Sequence, residues 1–500
     1  MSKRRVPPGR PLFRIESTGR LWYNQFERKK DGQVRACARR SRGEKRRFGV
    51  VNASEKEEAL FRSVPVTKAI LTLALPTIIS QVITILYNMA DTFFIGQLGD
   101  PRQVAAATLA MPLFMLMTAL SNLFGVGGAS LISRQLGRGE RAKASRTCAF
   151  CVWTGIAVAL LYGVLVLVLR PVLLPMLGAG EDTGELTASY FFWTVGLGAV
   201  PTVLNPTLAH LVRAEGHARP ASFGVALGGI LNIILDPIFI YGLRLEITGA
   251  AIATLLSNTM ALLYFFWFIR RQRAQSVITL SPKPYTLGQG IPAEVIGTGL
   301  PSFLISMMAT VSNTVLNRII AGYSNEAVAG MGIAKKVNLL AFAVTQGITQ
   351  GTLPLLGYNF TAGNRKRMAE IIRVLFTLNL AVALVIALLL YTNASVITKL
   401  FINDSATVEY GSRFLHIIGC ACPMTAVTFF ALTVFQATGR KIQPILLSVL
   451  RKGTIDVSAM FLFHSLLGIN GVAWATPTAE AISALTALIL VIPYIRKLLR

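Results

Sequence analysis

Charge is what this chain lacks. Only 14% of its 500 residues are charged and 53% are hydrophobic, whereas soluble domains carry about a quarter charged residues. So little charge excludes an ordinary soluble domain and places the chain in a membrane. Nucleotide chemistry is missing as well. No GxxxxGK[ST] phosphate loop occurs, so ATP hydrolysed by this chain does not supply its energy. The four histidines, at 210, 217, 416 and 464, show no zinc spacing. Cys148 and Cys151 form a CxxC and Cys420 and Cys422 a CxC, but both pairs lie in apolar stretches, where packing explains them better than a metal or redox centre. No catalytic cluster shares one membrane depth, so the chain does not read as an enzyme, and no cofactor is expected.

The charge that is present is unevenly placed. The first 63 positions hold 18 Lys and Arg against 7 Asp and Glu, a net +11 of the total +26. They contain no apolar run long enough for a signal-peptide core and no small-residue cleavage site after one. Residues 1–63 therefore read as a basic, disordered cytoplasmic extension. Such a tail suits anionic lipid or nucleic acid, but a solvated extension is sufficient explanation, and no nucleic-acid partner is assigned.

From residue 66 onward, apolar stretches of about 20 to 30 residues follow one another, each able to cross hydrocarbon about 30 Å thick. Twelve can be counted, at 67–97, 104–133, 147–169, 187–212, 221–243, 249–269, 291–320, 327–358, 368–390, 410–437, 442–467 and 471–495. The loops at 134–146, 213–219, 270–273, 364–367 and 439–441 are rich in Lys and Arg. The alternate loops carry acids instead, as in GEDTGE (180–185) and INDSATVEY (402–410). The positive-inside rule then puts both termini in the cytoplasm.

The second half of this region repeats the first. ITGAAIAT (247–254) returns as INGVAWAT (469–476), and LPTIISQVITILYN (75–88) returns as LPSFLISMMATVSN (300–313). RAEGHARP (213–220) answers QATGRKIQP (436–444), and GERAK (139–143) answers GNRKR (363–367). The offset spans six stretches, an even number, so the two halves run in the same direction. Parallel six-helix halves point to alternating-access transport.

Four segments carry a family resemblance: LALPTIISQVITILYNMADTFFIGQLGD (73–100), LGRGERAKA (136–144), RAEGHARPAS (213–222) and QGTLPLLGYNFTAGNRKRM (350–368). They resemble the multidrug and toxic compound extrusion (MATE) transporters, in order, over essentially all of 66–495. The resemblance implies an all-α integral membrane protein, with twelve transmembrane helices in two pseudo-symmetric six-helix lobes around a central cavity. The lobes would span 64–273 and 291–500, with a cytoplasmic linker at 274–290. The implied activity is export of small organic cations in antiport with H⁺ or Na⁺, by a monomer among the lipids of the bacterial cytoplasmic membrane.

One bacterial branch of the family holds its coupling ion in the N-terminal lobe, and the resemblance carries that site onto Asp91, Asn232, Asp236 and Thr254. The residues support it on physical grounds. Asn232 and Asp236, at i and i+4, share a helix face, so an amide oxygen and a carboxylate can meet one ion together. Asp91 sits alone in the apolar run ILYNMADTFFIG (85–96), where an acid is costly and normally functional. Two carboxylates close together in a weakly polar cavity cannot both stay ionised unless a proton or cation lies between them. The only metal role foreseen is Na⁺ at Asp91, Asn232 and Asp236.

Other intramembrane residues are candidates for a substrate cavity: Tyr87, Met111 and Met115, beside Phe114, and in the second lobe Glu480 and Asp456. Lys335 and Lys336 are placed to neutralise those second-lobe acids. Pro76, matched by Pro301, removes a helix N–H and is the candidate hinge. The glycines of GVGGAS (125–130) and GITQG (347–351) suit close helix approach. A lipid-linked precursor flippase of the same broad superfamily is the alternative. It would favour a cationic cavity, for which Lys335, Lys336 and Arg318 are available.

Orientation is testable directly. In a protein whose native cysteines have been replaced, Arg141→Cys should be shielded from an impermeant thiol reagent outside intact cells, and Thr183→Cys should react. The opposite labelling pattern rules the orientation out.

Overall fold

The computed structural model describes residues 59–320 and 322–500. Regular structure among them is helical throughout. A backbone in hydrocarbon must satisfy its own N–H and C=O groups, and a long helix does so without help from water. Six such helices open the fold: α1 (Val66–Gly96), α2 (Pro101–Gly137), α3 (Arg141–Val168), the bent α4, α5 (Ala218–Gly242) and α6 (Glu246–Gln272). The halves of α4, Asp182–Leu197 and Ala199–Ala214, meet at 48°. A wide helical turn over Phe192–Leu197, followed by Gly198, takes up that bend. The second six begin with α7 (Ile291–Ile320), α8 (Asn325–Thr361) and α9 (Arg365–Thr392). Next comes α10, whose parts Ser405–Gly419 and Cys422–Ala437 meet at 40°.

Among the described residues, nine helices are long and apolar enough to cross a membrane, and the two bent pairs raise the number to eleven. The twelfth lies inside Ile442–Leu499, whose 58 residues would extend about 87 Å as one rod, nearly three bilayer thicknesses. Gly468 breaks that run with φ 58 and ψ −138, a conformation open to glycine. Side-chain pairing shows that the chain turns back there. Arg451 meets Glu480, and Thr476 meets Asp456, the pairing pattern of an antiparallel hairpin centred near residue 466. The two arms are α11 (442–467) and α12 (469–499).

The lobes meet where α7 packs along α2 and α8 along α1. Glycine makes that approach possible. A Cβ on Gly299 would fall 1.9 Å from the Leu123 carbonyl oxygen, and one on Gly127 would fall 2.1 Å from that of Val295. Across the other contact, Gly347 and Gly351 leave room for the backbone of Ile78 and Ala74.

The hydrogen bonds that join the lobes lie toward the end bearing the basic loops. Gln81 donates to Gln350, Asn122 to Ser306, Ser130 to the Gln436 carbonyl and Thr361 to the Arg134 carbonyl. Arg134 also reaches Glu294 at 3.2 Å, and Lys441 reaches the same carboxylate at 3.0 Å. Along the far halves of α1 and α2, no hydrogen bond joins the lobes among the described residues. The polar clasp between the lobes thus lies at one end of the molecule.

Two features extend what composition shows. Phe61 is 3% exposed, stacks on Tyr358 with ring centroids 5.1 Å apart, and offers its carbonyl to Arg367. Packed chain therefore reaches back to residue 59, within the basic stretch. The segment after α6 is also built in. Val277 and Ile278 are buried in the first lobe's core, and the Val277 N–H donates to Glu215 at 2.8 Å. Cys148 accepts from the Thr279 N–H, a packing role.

The crossing gives a stability test. Gly299→Ala should cost about 1–3 kcal/mol by overpacking against a backbone atom, seen as a lower melting temperature in detergent. Gly332→Ala, where a Cβ meets nothing within 4 Å, should leave melting unchanged. Equal behaviour of the two variants would contradict the close crossing.

Candidate functional site

The most deeply buried acid of the first lobe is Asp236, near the end of the regular part of α5 and 0% exposed. Pro237 follows it, and α5 continues as a wide turn over Ile238–Gly242. One helical turn earlier stands Asn232, 1% exposed. Its amide nitrogen donates to Asp236 Oδ1 at 3.1 Å and to the hydroxyl of Thr254, on α6, at 3.3 Å. The i, i+4 face expected from sequence is thus formed, and Thr254 joins it from the neighbouring helix.

Asp91 approaches from α1. Gly229, three residues before Asn232, leaves the space in which Tyr87 and Ile83 of α1 press against α5. Asp91 and Asp236 lie within each other's electrostatic reach, and Tyr87 and Tyr190 sit in the field of both. Tyr190, buried on α4, is a neighbour that sequence reading missed. No pattern links it to the site, because it is brought there by packing across the bent helix.

What sets this cluster apart is what its oxygens lack. Asp91 Oδ1, Asn232 Oδ1 and Asp236 Oδ2 are all buried and have no hydrogen-bond donor among the described residues. A buried acceptor without a donor costs about 1–3 kcal/mol, more when charged, and three such oxygens stand here on the packed pair α1 and α5. Two carboxylates and an amide oxygen form the hard, oxygen-only donor set that suits Na⁺. H⁺ is satisfied by the carboxylates alone.

The second lobe treats its acids differently. Asp456, 0% exposed, accepts from Ser312 at 2.6 Å, from Lys452 at 3.1 Å and from Thr476 at 3.4 Å. Glu480 accepts from Arg451 Nε at 2.8 Å on both oxygens. The Arg451 guanidinium lies over Phe429 at 4.6 Å and Phe342 at 5.4 Å. The partners of these acids are therefore Arg451 and Lys452, from the wide turn Val449–Ile455 of α11. Of the lysines expected to neutralise them, Lys335 donates to Asn313 at 2.6 Å while lying within electrostatic reach of Asp456, and Lys336 is exposed, as is Arg318. Asp456 and Glu480 thus lie in an ionic network, which is a different setting from an open substrate cavity. Met111 is exposed and Met115 half-buried. Pro76 lies within α1, between Ala74 and Ile78, the two residues that abut α8.

Two pseudo-symmetric six-helix lobes, clasped at one end, have the architecture of an alternating-access membrane transporter. Known proteins agree. The MatE family model matches residues 76–238 and again 301–461, once in each lobe, and the chain belongs to the MATE family. It is 31% identical to the multidrug export protein MepA of Staphylococcus aureus strain N315, over 87% of this chain and 96% of that protein. The MepA of Staphylococcus saprophyticus is 29% identical over the same shares. Among solved structures, a MATE in the straight conformation superposes with a TM-score of 0.82 at 24% identity, covering 88% of this chain and 98% of that one. An outward-facing MATE family multidrug resistance transporter gives 0.80 at 25% identity, with the same coverage. The twelve-helix, two-lobe architecture expected from sequence is the one observed.

The network makes a prediction of its own. Arg451→Met strands Glu480 as a buried, weakly compensated charge and should destabilise by about 3–5 kcal/mol. Adding Glu480→Met should recover most of that loss in detergent melting. A double variant no more stable than the single would show that the pair is not the unit of stability.

Proposed function

We propose that this transporter exports small organic cations across the bacterial cytoplasmic membrane, in antiport with H⁺ or Na⁺ bound between Asp91 and Asp236. Multidrug efflux follows from membership of the family and from the relation to the multidrug export proteins. Assignment of the ion site rests on one observation: three buried oxygens, on α1 and α5, that have no donor among the described residues. In a low-dielectric site such oxygens hold a cation or a proton, or they repel one another. Asn232 and Thr254 position Asp236, and Asp91 closes the receptor from the opposite helix.

The clasp supports a direction. With the basic loops in the cytoplasm, the Arg134–Glu294–Lys441 contacts close the cytoplasmic end. Binding an ion can shift the lobes only by its different affinity for the two arrangements. Pro76 is the proposed hinge. It stands inside the α1–α8 contact, so bending there moves the Asp91 end of α1 relative to the clasp. Tyr87 and Met115 remain proposals for the substrate path. A flippase would need a cationic cavity for lipid phosphate; of the cations that reading relies on, Lys335 is bonded to Asn313 and Lys336 and Arg318 are exposed.

The test is ethidium efflux from vesicles carrying purified protein, under an imposed Na⁺ gradient and then an imposed pH gradient. Asp91→Asn and Asp236→Asn should each lower gradient-driven efflux about tenfold or more, a loss of at least about 1.4 kcal/mol of coupling. Ethidium binding should be largely kept. Wild-type rates in both variants would refute the assignment.

A further inference from the structure

The segment between the lobes builds a cavity that the transport reading leaves unused. It lies at the end bearing the basic loops, where residues 283–289 pass beside the start of α3, and has a volume of about 710 Å³, in the range of small-molecule sites. Arg146, Lys283, Ser145, Thr286, Tyr285 and Gln289 line it, and none of its lining residues is an acid. Aromatic packing fixes the segment there. The Tyr285 ring stacks on Phe150 of α3 with centroids 6.4 Å apart, and its hydroxyl lies 3.4 Å from that of Thr154.

The cations of this cavity are available, whereas their neighbours are taken. Arg141 meets the Gln275 carbonyl and lies 3.8 Å from Glu215, and Lys143 reaches Glu140 at 2.8 Å. The side chains of Arg146 and Lys283 make no ion pair or hydrogen bond among the described residues. The Thr286 hydroxyl accepts from the Gly288 N–H at 3.0 Å, which leaves its own hydrogen to donate. A guanidinium, an ammonium and hydroxyl donors, with no carboxylate among them, form a receptor for phosphate oxygens.

The position of the cavity selects the kind of phosphate. By the 3.6-residue repeat, Trp153, Leu160 and Val164 lie on the same face of α3 as Arg146, and they are 37%, 53% and 56% exposed. Exposed apolar residues in mid-span face acyl chains, so Arg146 stands at the foot of a lipid-facing stripe, about 10 Å along the helix from Trp153. Leu287, 66% exposed on the segment itself, adds apolar surface near the charges. A soluble anion would use the charges alone.

We propose that this cavity holds the phosphate of an anionic phospholipid from the leaflet on the side of the basic loops. Arg146 and Lys283 contact the phosphate oxygens, the hydroxyls orient the headgroup, and the acyl chains run along Trp153 and Leu160. The bound lipid bridges α3 and the segment leading into α7, whose first turn carries Glu294 of the clasp.

Purified protein in detergent is titrated with phosphatidylglycerol and, separately, with phosphatidylcholine of the same chains. Bound lipid is counted by native mass spectrometry, and melting is followed in parallel. Phosphatidylglycerol should bind more tightly and raise the melting temperature more. Arg146→Gln and Lys283→Gln should each weaken its binding about fivefold, and the double variant should lose the preference. Lys283→Arg should keep it. So should Lys366→Gln with Arg373→Gln, which removes equal charge from exposed side chains at the same end of α9. Inorganic phosphate alone should leave melting unchanged. A rise with inorganic phosphate equal to that with phosphatidylglycerol overturns the lipid assignment, and a preference that survives in the Arg146→Gln, Lys283→Gln double variant overturns the site.

Discussion

A carboxylate removed from water must find a positive partner, and the two lobes meet that demand in opposite ways. In the second lobe the partners are covalent parts of the chain, with Arg451 clasping Glu480 and Lys452 reaching both Asp456 and Glu480. In the first lobe, Asp236 and Asp91 keep oxygens that nothing in the described chain satisfies. A self-compensated network is stable in any arrangement of the lobes. An uncompensated one binds something, and its energy then depends on what the surroundings supply. The two halves, built on one repeat, therefore differ in whether the chain itself compensates their buried acids.

The helices serve that asymmetry by bringing distant residues to one depth. Three helices lie between Asp91 and Asp236 in sequence, yet α5 lies along α1 because Gly229 lets Tyr87 and Ile83 approach. Thr254 arrives by the antiparallel return of α6. The wide turns in α4, α5 and α11 recur beside the polar residues. In α11 that turn is where Arg451 and Lys452 lie, and it turns both toward the acids.

Much of this was legible in the residues. Twelve apolar stretches, the repeat and the loop charges define the two lobes. Asn232 and Asp236 share a face at a spacing any helix imposes. The resemblance supplied Asp91 and Thr254, which no local pattern joins to them. Other features were out of reach for physical reasons. Lys335 and Lys336 stand out as intramembrane charges, but a helix turns by 100° per residue, and the wide turn of α11 shifts phase besides, so sequence could not say which cation faces which acid. Tyr190 comes into place through packing around a bend. Phe61 is masked by the strongly basic stretch that surrounds it.

The glycine crossings between the lobes have a mechanical meaning as well as a packing one. Gly127 and Gly299 bring α2 and α7 backbone to backbone, and Gly347 and Gly351 do the same for α8 against α1, so at those points few side-chain atoms stand between the helices. Such a seam resists separation but resists rotation far less. It suits a fulcrum, with the clasp near the crossing and the far ends of the helices on longer arms; on the proposed ion site, a small tilt of α1 against α5 would be carried along those arms into a larger displacement at the far end.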